Sequence, residues 1–101
     1  MIQKKEYFDQ QIVVIKILNA LFPDATIYLF GSRARGDNTE QSDIDLAIDT
    51  GKIERTLEID TAKEVLHGLP IVNTIDIVDF QRIPEYLKKT ITKEGVILWK
   101  K

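Results

Sequence analysis

From Phe8 to Phe22 apolar residues return at helical spacing, with Phe8, Ile12, Ile15, Leu18 or Asn19, and Phe22 on one stripe. This predicts a helix over residues 4–22, stopped by Pro23 and Asp24. Beyond Gln11 only Lys16 and Asn19 are polar before Phe22, so the apolar surface is wider than one core-facing stripe requires. Burial on two sides and a face for a partner protein are equally compatible with that width. Thr26-Ile27-Tyr28-Leu29-Phe30 is β-branched and aromatic and reads as a buried strand running straight into Gly31-Ser32. Ser32 to Asn38 is short, polar and rich in Arg and Gly, which fits a tight turn with a short helix.

Asp43 to Asp49 alternates carboxylate or Ala with Ile or Leu, the period-two pattern of a half-buried strand. Ile53 to about His67 predicts a second long helix, with Ile59, Ala62, Val65 or Leu66, and Leu69 inward and Gly68 and Pro70 ending it. Thr74 to Asp79 is a third strand. Pro84 fits the first turn of a last helix carrying Ile83, Leu87 and Ile91 on one stripe and closed by Gly95, and Val96 to Trp99 is a terminal strand. The order implies an α+β (α/β layered) fold, a small mixed sheet with helices on one face and the other face open. No repeat or linker-like run divides the chain, so residues 1–101 are expected to form one domain.

Charge narrows the partners. The 14 Lys plus Arg nearly balance 16 Asp plus Glu, for a net of −2, so there is no global positive field to hold a nucleic-acid backbone directly. The absence of Cys excludes disulfides, a thiolate nucleophile and a Cys-based zinc site, and fits a reducing cytoplasm. The start, MIQKKEYFDQQ, lacks the apolar core of a signal peptide, and Lys16 interrupts the most apolar stretch, Ile12 to Leu18. Neither a membrane span nor an obvious export signal is expected, and the expected location is the cytoplasm.

Strand parity locates the chemistry. With Ile44, Leu46 and Ile48 facing the core, Asp43, Asp45 and Ala47 point the other way, and Ile75 and Ile77 likewise leave Asp76 on that second face. If the two strands are neighbours, three carboxylates converge. Such a group repels itself and binds protons unless cations neutralise it, and hard oxygen ligands with open positions suit Mg²⁺ completed by substrate phosphates. Asp79 has the opposite parity and is the weaker third ligand. Asp37, Asp49 and Asp60 read as solvated charges. Gly31-Ser32 at a strand end lets backbone approach a phosphate, the Ser hydroxyl can donate to it, and Arg33 and Arg35 add positive charge. His67 beside Gly68 reads as a capping or exposed residue, and Tyr86 and Trp99 as core edge or interface.

Gly31-Ser32-Arg33-Ala34-Arg35-Gly36-Asp37 followed by Ser42-Asp43-Ile44-Asp45-Leu46, with ten residues between Ser32 and Asp43, resembles the GS-x10-D-x-D signature of the DNA polymerase beta-like nucleotidyltransferase superfamily. The short length, Ile-Asp-Ile-Val-Asp and the closing Lys-Glu-Gly-Val-Ile-Leu look more specifically like the minimal nucleotidyltransferase (MNT) domain. The resemblance covers nearly the whole chain. It implies that Asp43, Asp45 and Asp76 are catalytic and bind two Mg²⁺ ions, that the Gly31-Ser32 loop, to which Arg33 and Arg35 add positive charge, holds the triphosphate of ATP, and that the partner is a HEPN-domain ribonuclease toxin. Members resembling this chain act as antitoxins, some by transferring AMP to a tyrosine of the toxin in a hetero-oligomer. The alternative is neutralisation by stoichiometric binding without catalysis. The complete carboxylate set favours catalysis, since a pure binder has no use for mutually repelling charges. A small-molecule modifier is disfavoured because 101 residues leave little material for an acceptor-binding domain.

Overall fold

Eight elements follow one another along the chain: α1 (Ile2–Leu21), β1 (Thr26–Phe30), α2 (Ser32–Arg35), β2 (Ile44–Asp49), α3 (Thr56–His67), β3 (Ile75–Asp79), α4 (Glu85–Glu94) and β4 (Val96–Trp99). This computed structural model describes the backbone of residues 2–39, 42–52, 55–69 and 73–100, with side chains from Gln11 onward except Thr56. The expected side chain of Phe8, the helix start at Ile53 and the helix-ending Pro70 lie outside the described residues.

The strands form one mixed sheet in the order β3-β2-β1-β4. β1 pairs antiparallel with both β2 and β4, while β2 and β3 are parallel. Parallel neighbours need a long crossover, and α3 supplies it. The alternation read from sequence sets the sheet's two faces. Ile27, Leu29, Ile44, Leu46, Ile48, Ile75 and Ile77 join Val14, Leu18 and Phe22 of α1 and Ile59, Ala62 and Leu66 of α3 in one buried cluster. Dense apolar burial of this kind is the main stabilising term in a domain of this size.

Two expectations change. On α1 the buried row is Val14, Leu18 and Phe22, whereas Ile12 is 47% exposed and Ile15 only half-buried. Where nearly every residue is apolar, the pattern fits several helical phases, and the i, i+4, i+8 row that meets α3 and the sheet fixes the phase. Ile12, Val13 and Leu21 are left facing outward. The mixed sheet and its helical layer are present, but α4 does not join α1 and α3. Its Ile91 is fully buried yet outside the main cluster. Its Lys88 ammonium lies 5.9 Å from the ring centroid of Phe80, and Phe80 stacks on Tyr28, whose parity places it on the second face. Ala47, on that same face, is fully buried as well. Thus α4 partly covers the face expected to be open, and the carboxylates occupy the end beyond it. Of the stripe Ile83, Leu87 and Ile91, only Ile91 is buried, the others being half-buried.

Candidate active site

β1 ends at Phe30, opposite Asp45 in the antiparallel pairing, and the chain turns at once through Gly31 into the single turn of α2. Gly31 has φ 74° and ψ −154°, a combination that side chains other than glycine's do not tolerate without strain. Space is a second constraint, because a Cβ here would run into the Asp45 carboxylate. The turn backbone therefore lies directly against that carboxylate. The amides of Ala34 and Arg35 both donate to Gly31 O at 3.1 Å. Gly36, left-handed at φ 84°, closes the turn by donating to Ser32 O.

The convergence expected of the carboxylates rests on the sheet register. β2 and β3 are adjacent and parallel, with Asp45 directly opposite Asp76. Asp43 stands two residues before Asp45 at the entrance of β2, and both Asp43 and Asp76 are exposed while Asp45 is half-buried. Asp45 responds to this crowding. Burial pushes its carboxyl above the ordinary value of 3.8, the negative charges of Asp76 and then Asp43 push it further, and Arg33 and Arg35 pull it back. A divalent cation would relieve both repulsions, so the donor set fits a hard, oxygen-preferring ion. Among the described residues no three acidic or histidine side chains stand at the spacing of a formed metal shell. What is present is a shared field with two exposed carboxylates free to turn toward an ion.

Of the four residues expected to hold phosphate, Gly31 and Ser32 sit at the turn beside Asp45. Arg35 is exposed and pairs at 3.3 Å with Asp37, a contact that a surface ion pair gives up easily. Arg33 points elsewhere: Nε donates to Asp43 O (3.0 Å), Nη2 to Ser42 O (2.9 Å) and Nη1 to Gln11 Oε1 (3.2 Å). Gln11 and Asn73, whose Nδ2 donates to Ser42 O at 3.3 Å, were not singled out in the sequence. No local pattern marks them, since they act across 22 and 31 positions.

The remaining candidates fall outside this group. Asp79 is buried at 7% exposure, and its Oδ1 accepts from Gln81 N at 3.0 Å in the loop after β3. Asp49 accepts from Gly51 N at 2.9 Å and from the Gln81 amide, shaping the opposite end of the sheet. His67 is exposed at the last turn of α3. Trp99 donates weakly to Pro23 O at 3.4 Å. Two shallow grooves lie away from the carboxylates, one between α1 and α3 at Leu21 and Val65, the other between Phe80 and the lysines of α4.

A family model described as polymerase beta, nucleotidyltransferase matches residues 11–101. A protein of Haemophilus influenzae named probable protein adenylyltransferase MntA is 31% identical over 93 residues, which are 91% of this chain and 82% of the relative. The crystal structure of a toxin-antitoxin with AMP-PNP is similar at TM-score 0.62 and 28% identity, covering 87% of this chain and 71% of that one. A structure of a tri-AMPylated Shewanella oneidensis HEPN toxin in complex with MNT antitoxin is similar at TM-score 0.57 and 24% identity over 98% of this chain and 73% of that one, a likeness of fold.

Proposed function

The chain belongs to the polymerase beta nucleotidyltransferase family, and from that premise we propose that it transfers AMP from ATP to a hydroxyl, that of a tyrosine, on a HEPN toxin and thereby serves as the toxin's antitoxin, with residues 1–101 acting as one minimal domain. The observation that carries this reading is the register pair Asp45 and Asp76 on adjacent parallel strands, with Asp45 against a glycine turn that only a Gly can make. The 31% identical adenylyltransferase and the 28% identical pair with AMP-PNP support an adenylyl donor and a toxin partner.

Asp43, Asp45 and Asp76 would hold Mg²⁺. Bound there, Mg²⁺ offsets phosphate charge and eases ionisation of the acceptor hydroxyl, and two ions match three shared carboxylates. The chain's own groups orient the substrates. Gly31 lets main chain approach the triphosphate, the Ser32 hydroxyl donates to a phosphate oxygen, and Arg35 supplies positive charge at the mouth. The acceptor oxygen bonds to the α-phosphorus in line with the departing pyrophosphate, the α–β bridging bond breaks, and Asp76 accepts the acceptor's proton. Exposed Ile12, Val13 and Leu21 on α1 give the partner an apolar surface to cover. Among the described residues no helix is long and apolar enough to cross a membrane.

Position-specific labelling tests the reaction. With ATP labelled at the α-phosphate the partner should become labelled, and with ATP labelled at the γ-phosphate it should not. Label from the γ-position would make the chain a kinase, and stable binding with no label from either would leave stoichiometric neutralisation.

A further inference from the structure

Asp43, exposed like Asp76, is the one of the three carboxylates that lies outside the strands, ahead of β2, with no strand partner of its own. Its position depends on the two peptide planes that flank its Cα, one ending in Ser42 O and the other in Asp43 O. A single side chain grips both. Arg33 donates from Nη2 to Ser42 O at 2.9 Å and from Nε to Asp43 O at 3.0 Å. Peptide units are rigid, so holding consecutive carbonyls holds the direction in which the Asp43 side chain leaves the backbone. Asn73 adds a second donor to Ser42 O at 3.3 Å, and Gln11 of α1 accepts from Arg33 Nη1 at 3.2 Å, fixing the guanidinium from behind.

We infer that Arg33 is a positioning residue for Asp43, held in place by Gln11, rather than a ligand of the triphosphate. All three guanidinium nitrogens are turned to protein acceptors drawn from α1 and from the entrance of β2. The planar fork suits this task because it reaches two carbonyls at once, which a lysine's point charge cannot do. Arg35 remains the solvent-facing cation of the turn. The inference rests on the proposed function in placing Asp43 at a cation site.

Mn²⁺ binding in place of Mg²⁺, followed by the paramagnetic signal of the free ion, separates the possibilities without requiring turnover. Arg33→Lys keeps the charge and loses the fork. It is expected to bind Mn²⁺ about tenfold more weakly, as loss of a partner orienting a metal ligand usually does. Gln11→Ala, which leaves both carbonyl contacts but frees the guanidinium, is expected to weaken binding less and to stay folded. In transfer assays Arg33→Lys should lower kcat and leave the KM for ATP near the parent's, while Arg35→Ala should raise KM. Parental Mn²⁺ affinity in both Arg33→Lys and Gln11→Ala would overturn the inference, as would a rise in KM confined to Arg33→Lys with kcat unchanged. Failure of the functional reading looks different: the parent itself would bind no Mn²⁺ and transfer nothing.

Discussion

At the scale of single residues, Asp45 carries the main electrostatic tension of the site. Its carboxyl is pushed above the ordinary value of 3.8 by burial, by Asp76 and by Asp43, in that order. The folded protein therefore keeps this proton to a higher pH than the unfolded chain does. Stability falls as pH rises from about 3.8 through the raised value, and above that range the full penalty of the crowded, ionised group is present. Asp45→Asn has no such titration. In melts between acid and neutral pH, the variant's melting temperature is expected to gain on the parent's across this range and then run parallel to it. Addition of Mg²⁺ at neutral pH should raise the parent's melting temperature and leave the variant's nearly unchanged, since a cation stabilises the state that binds it. Gly31 gives a second test. Gly31→Ala meets both an unfavourable backbone conformation and the Asp45 carboxylate, and is expected to cost about 1–3 kcal/mol in denaturant unfolding together with most of the activity.

At the scale of elements, the two faces of the sheet divide the work. The face packed on α1 and α3 holds the fold, so Leu18→Ala, which opens a cavity at a fully buried position, is expected to cost about 2–5 kcal/mol. Ile12→Ser, on the same helix but 47% exposed, is expected to change stability by less than about 0.5 kcal/mol while weakening association with the partner, which calorimetry on both quantities would separate. Strands and their parity were legible in the sequence because alternation of Ile and Leu with Asp has one solution: Ile44, Leu46 and Ile48 in, Asp43 and Asp45 out. The phase of α1 was not legible. Its residues after Gln11 are nearly all apolar, and only contact with α3 and the sheet selects Val14 over Ile12 and Ile15. The placement of α4 was also hidden. A stripe of Ile83, Leu87 and Ile91 states that one side is buried without stating against which face, and of the deciding contacts, Lys88 over Phe80 and Phe80 on Tyr28, the second joins residues far apart in the chain.

At the scale of the whole molecule, the topology brings the chemistry together. The crossover through α3 sets β3 beside β2, which puts Asp76 opposite Asp45, and the antiparallel return of β1 brings Gly31 to the same end. Of the site, the sequence disclosed the residues proposed to touch substrate, through the long Gly-Ser and Asp-x-Asp spacing. It did not disclose Asn73, which donates to Ser42 O beside Arg33, or Gln11, which accepts from Arg33, since these contacts form only after folding. The three carboxylates stay away from the main core cluster, so Asp43→Asn and Asp45→Asn are expected to leave the fold intact while lowering transfer at least about 100-fold, the scale of losing a group that stabilises charge in the transition state. The measurement that bears most directly on the whole account is the intact mass of a HEPN partner after co-expression with this chain or with its Asp43→Asn plus Asp45→Asn variant. Whole adenylyl increments on the partner with the parent chain alone are the predicted result. An unmodified partner in a stable complex with the parent chain would contradict catalysis as the basis of neutralisation.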